Sequence, residues 1–204
     1  MLWDKYADYD IEPEAEIAVI VDPDSALYLN DQEVDANLYV NLLTICNRLG
    51  TPYKVYSFRD IPRIPELGQF KMCIFPGMFE ITPEKQAVLD EYILKDDRTV
   101  VWTYAAGLSN GTEWNPETMK QLTGARFKEE SSRVVDKGKW KSIYYPSNEE
   151  ITPEQLRAYA KAAGVHLYVD ASVPVWATKE FLMIHVADKC NVSVKLRERS
   201  KAIE

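Results

Sequence analysis

The sequence predicts an α/β fold, in which helices flank a doubly wound, mostly parallel sheet. Short, continuous apolar runs recur along the chain, as is typical of strands that are buried on both faces. Segments with helical periodicity separate these runs, giving the order β-α-β-β-α-β-α. The connections between them are short, which favours parallel strands joined by crossover helices.

Five apolar runs are interpreted as the strands of this sheet: residues 16–21, 53–58, 71–75, 100–103 and 142–145. Between the first two runs, apolar residues recur every three or four positions and mark one face of a helix: Val34, Leu38, Leu42, Ile45 and Leu49. Gly50 follows at the position where a helix commonly ends. The first helix is therefore expected to run from about Val34 to Leu49, with Gly50 just beyond its end.

Three further helices share one start signature, at residues 82–84, 115–117 and 152–154. Each has a Thr or Asn that can cap the helix, then a proline at the first helical position, then a glutamate in the first turn. Gln155 stands three residues after Thr152 and predicts a capping box there. These signatures fix the beginnings of three helices.

Beyond residue 127 the pattern changes. Residues 128–141 are strongly charged and predict an excursion or an exposed hairpin, whereas the tail holds short apolar segments that predict antiparallel β-hairpins: 165–169, 173–177, 181–186 and 192–196. We therefore predict an N-terminal extension (1–15), an α/β core (16–127) and a C-terminal part that completes the same domain (128–204).

Composition excludes several classes of function. A net charge of −8 argues against nucleic-acid binding, which depends on Lys and Arg neutralising phosphates. No apolar run approaches the length of a membrane span, and the acidic N-terminus does not resemble a signal peptide. Cys46 and Cys73 lie within apolar runs, as expected of buried thiols rather than disulfides or a metal site. These features predict a cytoplasmic protein that needs no metal or cofactor.

Residues 99–127 have the frame of a catalytic site without its chemistry. A β-branched run breaks sharply into a small-residue turn, the arrangement in which many α/β hydrolases and amidotransferases hold a nucleophile. Here the turn carries Tyr104, Ala105 and Ala106, with no Ser or Cys. We expect a strand-to-loop elbow in which Gly107 has a positive φ or allows close backbone approach.

Three acidic residues follow two of the predicted strands. Asp22 and Asp24 come after the first strand and Glu80 after the third, so all three should share the carboxyl edge where ligands of doubly wound sheets bind. Paired carboxylates can hydrolyse glycosidic bonds. The same edge, lined by Tyr104 and Trp114, could instead contact a sugar. Ordinary turn and capping chemistry is the third interpretation.

A Cys–His site is weighed against simple core packing. Gly77 follows the third strand, where an oxyanion-type loop would lie. However, Cys46 falls in a helix and Cys73 in mid-strand, where a buried thiol is inert. His166 and His185 both lie in apolar segments. Packed core residues are the favoured interpretation for all four side chains.

Several aromatic residues lie outside the predicted core runs: Trp3, Tyr6, Tyr9, Trp114 and Trp140. Tyr and Trp are enriched at protein interfaces because they bury a large area at a small entropic cost. The same side chains can stack on sugar rings. Alternatively, the N-terminal aromatics pack over their own domain.

Two longer stretches resemble a known family. Residues 18–127 contain VVWTYAAGL, followed by a loop and a helix that ends in MKQLTGARF, and the tail reads ITPEQLRAYAKAAGVHLYVDASVPVWATKEFLMIHVAD. Together they resemble the trimerisation domain of family 42 β-galactosidases and related glycoside hydrolases. The resemblance covers most of the chain and implies a fold like that of the class I glutamine amidotransferases.

The resemblance implies a non-catalytic accessory module that supports oligomerisation and shapes a neighbouring active site. Its implied partners are a catalytic (β/α)8 barrel of the parent protein and further copies of the chain, as a trimer in the intact protein. Because the barrel and its carboxylates are not in this sequence, no catalytic residue is carried over. Two alternatives stay open: a small hydrolase or transferase that uses the carboxylates of the sheet edge, and a free-standing carbohydrate-binding module.

Overall fold

The computed structural model describes residues 9–28, 36–147, 150–187 and 191–198. Its main sheet has six strands: Ile17–Val21 (β1), Lys54–Ser57 (β2), Met72–Phe75 (β3), Arg98–Thr103 (β4), Arg133–Asp136 (β5) and Trp140–Tyr145 (β6). Their order across the sheet is β2-β1-β3-β4-β6-β5. All neighbours are parallel except β5, which forms an antiparallel hairpin with β6. The mostly parallel sheet and the hairpin beyond residue 127 are thus confirmed.

In the described part of the chain, five α-helices join or cover the strands: Pro23–Ala26 (α1), Leu42–Cys46 (α2), Pro83–Val88 (α3), Pro116–Thr123 (α4) and Pro153–Ala162 (α5). The segment Ala36–Asn41 before α2 and the segment Leu89–Ile93 after α3 are π-helical, and two 3₁₀ turns follow β2, at Phe58–Arg63 and Leu67–Gln69. Within the described ranges, each helix is too short or too polar to cross a bilayer.

The three predicted helix starts are confirmed. Thr82, Asn115 and Thr152 each accept a hydrogen bond from the backbone N–H three residues later, at 3.3, 3.3 and 3.2 Å. Gln155 Oε1 accepts from the Thr152 N–H at 3.0 Å and completes the predicted capping box. Each cap satisfies a helix amide that would otherwise have no partner, a contribution of about 1 kcal/mol.

The sheet has a buried apolar core on each face, as expected for a doubly wound fold. Alternate residues of β1 point to opposite faces, so that Ile17 and Val19 pack in one core and Ala18 and Ile20 in the other. Helices α2 and α5 cover the first core, and α3 and α4 lie over the second. All residues of β3 and β4 are buried, which fits the apolar runs at residues 72–75 and 100–102.

The helix predicted from Val34 differs from the observed one. Val34 lies outside the described residues, and the α-helical part ends at Cys46 rather than at Leu49. Gly50 does have a positive φ, of 73°, but its carbonyl accepts the backbone N–H groups of Tyr168 and Val169. Its conformation therefore serves a contact between distant segments and does not end the helix.

The C-terminal segments form less regular structure than predicted. Residues 173–177 and 181–186 contribute the strands Val175–Ala177 (β7) and Leu182–Ile184 (β8), which form a separate two-stranded antiparallel sheet. The segment 165–169 is not a strand, and only an isolated bridge joins Val169 to Val194. It is held instead by the carbonyl of Gly50, so packing against the α2–β2 connection replaces strand pairing.

Candidate functional site

The loops that leave β1 and β3 meet at the carboxyl edge of the sheet. These two strands are neighbours, and the chain crosses over between them, which is the position where ligands bind in open α/β sheets. Asp22 follows β1, is fully buried and caps α1, accepting the Ser25 N–H at 3.1 Å and the Ser25 hydroxyl at 2.5 Å. The Ser25 hydroxyl oxygen accepts the Glu80 N–H at 2.9 Å, which joins the two loops.

Lys85, in the first turn of α3, fills the crevice between these loops. Its Nζ lies 2.7 Å from Asp22 Oδ2, 2.7 Å from Glu80 Oε2 and 3.5 Å from Asp24 Oδ2. The Lys85 side chain is only 11% exposed. Burial alone would lower the pKa of Lys85, but the hydrogen bonds to Asp22 and Glu80 outweigh it and raise the pKa. We call Asp22, Asp24, Glu80 and Lys85 the carboxylate–lysine cluster.

Two further side chains, Arg59 and Tyr28, bind carboxylates of this cluster. Arg59 forms an ion pair with Asp24 and lowers the pKa of that carboxyl. The Tyr28 hydroxyl donates to Glu80 Oε1 at 2.8 Å. Asp22 Oδ1 is buried and has no hydrogen-bond partner among the described residues. The three acids therefore lie close together, as expected. Lys85 lies between them, which the sequence analysis did not predict.

The elbow after β4 has the predicted geometry. Gly107 has φ 72°, its N–H donates to the Met78 carbonyl at 2.8 Å, and a Cβ at this position would lie 3.2 Å from Ile81 and Thr118. Tyr104 also has a positive φ, of 60°, which is rare for a bulky residue. The strained position of the elbow, where a nucleophile would be held, is thus taken by a tyrosine.

Gly77 lies beside this elbow but does not offer its amide to a ligand. Its N–H donates to the Thr103 hydroxyl oxygen at 3.1 Å, across the ends of β3 and β4. Its φ of 58° gives the turn after β3 its direction. An oxyanion-type site would need a free N–H here.

The described cysteines, Cys46 and Cys73, do not form a catalytic pair with either histidine. Cys46 and Cys73 are both buried, and burial raises the pKa of each thiol to about 12. His166 lies at the opposite, amino end of the sheet, where its ring bonds the Lys195 carbonyl at 2.9 Å. His185 is exposed just after β8, so the prediction of a buried histidine is wrong there, because the face of the hairpin that carries it is not covered. No hydrogen bond links either imidazole to the elbow within the described part of the chain.

An exposed row of aromatic rings borders the carboxylate–lysine cluster. Adjacent ring centroids lie 5.2 Å apart for Tyr28 and Phe79, 5.8 Å for Phe79 and Trp114, and 6.4 Å for Trp114 and Phe127. Trp114 is 68% exposed. We call these four residues the aromatic row. It rests on loops held together by isolated bridges of Ser109 to Glu80 and to Trp114.

The other predicted surface aromatics differ in position. Trp140 is the first residue of β6 and is partly buried, with its ring 6.4 Å from the buried Trp102, so the prediction that it lies outside the regular pattern is wrong. Tyr9 packs against Phe181 of its own domain at 5.1 Å. Trp3 and Tyr6 lie outside the described residues.

The described residues offer no cluster of three or more His, Cys, Asp or Glu side chains that could hold a metal ion. At the carboxylate–lysine cluster, the Lys85 ammonium already takes the position that a cation would occupy among the carboxylates. Lys85 could have been suspected from the sequence, since it stands in the first turn of a helix that starts at the carboxyl edge. Its contact with Asp22, 63 residues away, has no sequence signal.

The same fold occurs within solved β-galactosidases. The enzyme from Halorubrum lacusprofundi matches with a TM-score of 0.62 and 15% identity, over 85% of this chain and 35% of that chain. The enzyme from Bacillus circulans matches at 0.57 and 15%, over 82% and 34%. A GH42 β-galactosidase from G. stearothermophilus, solved as a catalytic mutant, matches at 0.54 and 13%, over 83% and 34%.

At these identities the likeness shows a shared fold. The chain spans about a third of the length of each of these β-galactosidases. No family model matches the sequence, and no curated protein matches it. The chain is therefore an α/β unit of the kind found as one part of larger β-galactosidases.

Proposed function

We propose that this chain is a non-catalytic accessory module of a β-galactosidase-like glycoside hydrolase, which assembles subunits and shapes a neighbouring active site. One observation carries the proposal. The chain has the fold of a part that makes up about a third of the matched β-galactosidases, and its elbow carries Tyr104 in place of a nucleophile. Bond cleavage is assigned to a separate catalytic barrel of the parent protein. The division into an extension (1–15), a core (16–127) and a completing part (128–204) belongs to the same proposal.

The carboxylate–lysine cluster supports a structural role for the sheet edge. General acid–base catalysis of glycoside cleavage needs one protonated and one free carboxyl group that can reach the substrate. Here Asp22 and Glu80 both bind the same lysine at 2.7 Å and face each other across it. The crevice at the crossover is thus filled by the protein's own side chain.

The aromatic row supplies the surface for assembly. Tyr28, Trp114 and Phe127 are exposed, and the ring of Phe79 joins Tyr28 to Trp114. Contiguous exposed apolar surface marks sites of protein association. Large aromatic side chains carry much of the binding energy at such interfaces. We propose that the row contacts the catalytic barrel or a second copy of the chain, in a trimer of the intact protein. A cytoplasmic location, which the free buried thiols support, completes the proposal.

The association is tested with Trp114→Ala. Loss of an exposed ring should change the melting temperature little, while it weakens self-association or binding to a separately expressed family 42 barrel about tenfold or more. Analytical ultracentrifugation and surface plasmon resonance measure the two affinities. Trp176→Ala removes an exposed tryptophan from the other end of the sheet and serves as the matched control. If both variants associate like the original chain, the row is not the interface.

Catalysis by this chain alone is the competing function. We expect no turnover of p-nitrophenyl β-galactoside by the isolated chain. Turnover that is lost in Asp22→Asn or Glu80→Gln would instead establish the hydrolase alternative and end the accessory-module proposal.

A further inference from the structure

A groove of about 350 Å³ opens at the amino end of β2, far from the carboxyl edge. One wall is the edge strand β2 with the residues that lead into it, represented by Tyr53 and Val55. The other wall is the β7–β8 hairpin, represented by Trp176 and Met183. The volume falls within the range of small-molecule pockets, about 300–1,000 Å³.

The hairpin wall presents two apolar side chains that the other described residues leave largely uncovered. Trp176 and Met183 stand directly opposite each other in the register of β7 and β8 and remain 45% and 63% exposed. Their neighbours on the other face, including Ala177 and Leu182, pack in a small core. The fold therefore buries one face of the hairpin and leaves the indole ring on the other face open to the groove.

A few polar groups stand at the rim. The Tyr53 hydroxyl donates to Asn47 Oδ1 at 2.9 Å, which orients the amide and leaves its Nδ2 group to donate outward. His185 adds an exposed imidazole. The Thr51 hydroxyl is already used, since it donates to the His166 carbonyl at 2.8 Å. The rim thus offers an amide donor and an imidazole that can donate or accept.

Charge selects the class of ligand. Among the described residues, those that line the groove include no Asp, Glu, Lys or Arg. The charged side chains next to it, Glu12, Lys54 and Glu66, pair with one another. An ionic ligand would lose its hydration in the groove without gaining an opposite charge, and this costs free energy. A purely apolar ligand, such as an aliphatic peptide side chain, would cover Asn47 and His185 without pairing them. The ligand that fits both walls is neutral, with one apolar face and a hydroxylated edge.

We propose that this groove binds a neutral pyranoside. The C–H groups on one face of the sugar ring stack on the Trp176 indole, and its hydroxyl groups bond Asn47 and His185. Aromatic rings combine a large apolar face with a small loss of side-chain freedom, which suits a shallow, open site. This site is independent of the proposed function, because it lies at the opposite end of the sheet from the elbow, the cluster and the aromatic row.

The test is a titration of the full chain with methyl β-galactopyranoside and methyl β-glucopyranoside, followed by saturation-transfer NMR and tryptophan fluorescence. A ligand of this size in an open groove should bind with a Kd on the order of 1 mM. Trp176→Ala should weaken binding about tenfold, and Asn47→Ala several-fold. Val134→Ala, at an exposed apolar residue of β5 on the opposite edge of the sheet from β2, should bind like the original chain. Glucuronate should bind clearly more weakly than the neutral sugars.

Several results would overturn the proposal. They are no binding of either pyranoside up to about 50 mM, equal binding by the Trp176→Ala chain, or glucuronate binding as tightly as the neutral sugars. If Trp176→Ala fails to fold, His185→Ala is tested in its place. This variant changes only an exposed side chain at the rim, and it must still weaken sugar binding. Failure here leaves the accessory-module proposal intact, since that is tested by association through Trp114.

Discussion

Lys85 is the residue that organises the carboxyl edge of the sheet. A single ammonium group joins carboxylates from the loops after β1 and β3, and Asp22 among them is fully buried. Such a buried charge is tolerated only when it is paired and hydrogen-bonded. The cluster also supports the aromatic row, because Glu80 holds the Tyr28 hydroxyl. One side chain therefore links the closed crevice to the exposed surface beside it.

Lys85→Met keeps most of the volume of the side chain and removes its charge. We expect the free energy of unfolding to fall by about 3 kcal/mol at neutral pH, because the variant leaves Asp22 buried without a counter-ion. Chemical denaturation with urea measures the change. Lys120→Met is the control, since Lys120 makes only an exposed pair with Glu117 at 3.7 Å and should change stability by less than about 1 kcal/mol.

The same variant makes a prediction about pH. Because the folded state raises the pKa of Lys85, this lysine stabilises the fold fully below its unfolded pKa, and the contribution is lost as pH rises through the folded value. Alkaline denaturation should therefore be less steep in Lys85→Met than in the original chain. Equal slopes, together with equal losses in the two lysine variants, would contradict a stabilising role for the cluster.

At the scale of elements, Gly50 sets how closely two distant segments approach. It lies between α2 and β2 with φ 73°, and a Cβ there would stand 2.0 Å from the Val169 carbonyl oxygen. The Gly50 carbonyl in turn accepts two backbone N–H groups from the segment after α5. The apolar sequence of residues 165–169 predicts a strand. These residues are instead held by their hydrogen bonds to the Gly50 carbonyl.

Gly50→Ala should be strongly destabilising, by about 3 kcal/mol or more, because the backbone oxygen of Val169 must move. Gly138→Ala is a matched control: its φ is 81°, but nothing lies within 4 Å of the added Cβ. It should cost only the strain of a positive φ, about 1–2 kcal/mol. Thermal unfolding of the two variants separates the contact from the strain. A similar loss in both would mean that the close approach is easily relieved.

At the scale of the whole molecule, Glu16 joins the start of the sheet to the C-terminal part of the chain. Its carboxylate accepts the His166 N–H at 2.7 Å, Lys71 Nζ at 2.9 Å and Arg197 Nη1 at 3.1 Å. Burial alone would raise the pKa of Glu16, but the bonds from His166, Lys71 and Arg197 together lower it. This nearly buried acid thus connects the start of β1 to Arg197, 181 residues later in the sequence.

Glu16→Gln should remove part of the acid sensitivity of the fold. A carboxyl group with a lowered folded pKa stabilises the protein above its unfolded pKa, near 4.5, and this contribution disappears as pH falls through the folded value. The variant should lose about 1–2 kcal/mol at pH 7, and its stability should fall less between pH 5 and pH 3, roughly the range in which such an acid titrates. Urea denaturation over this range measures both effects. Glu12→Gln, at an exposed acid paired with Lys54, should match the original chain.

The sequence by itself determined the elements that depend on local chemistry. The apolar runs identified β1, β3 and β4, because strands buried on both faces need apolar residues. They also identified β6 and the partly exposed edge strand β2. The Pro–Glu signatures placed the starts of α3, α4 and α5, since capping involves residues only three apart. The elbow and the positive φ of Gly107 were also readable from a strand that ends in small residues.

Only the tertiary structure decided which of these residues meet. Lys85 reaches Asp22, Glu16 reaches Arg197, and Gly50 holds residue 169, all through contacts between segments that are far apart in sequence. Periodicity and capping signals extend over a few residues, so they contain no information about such pairs. The same limit explains why local sequence predicts Trp140 outside the core and residues 165–169 as a strand, whereas the structure shows otherwise. Local sequence sets what each segment can form, and packing between segments selects what it does form.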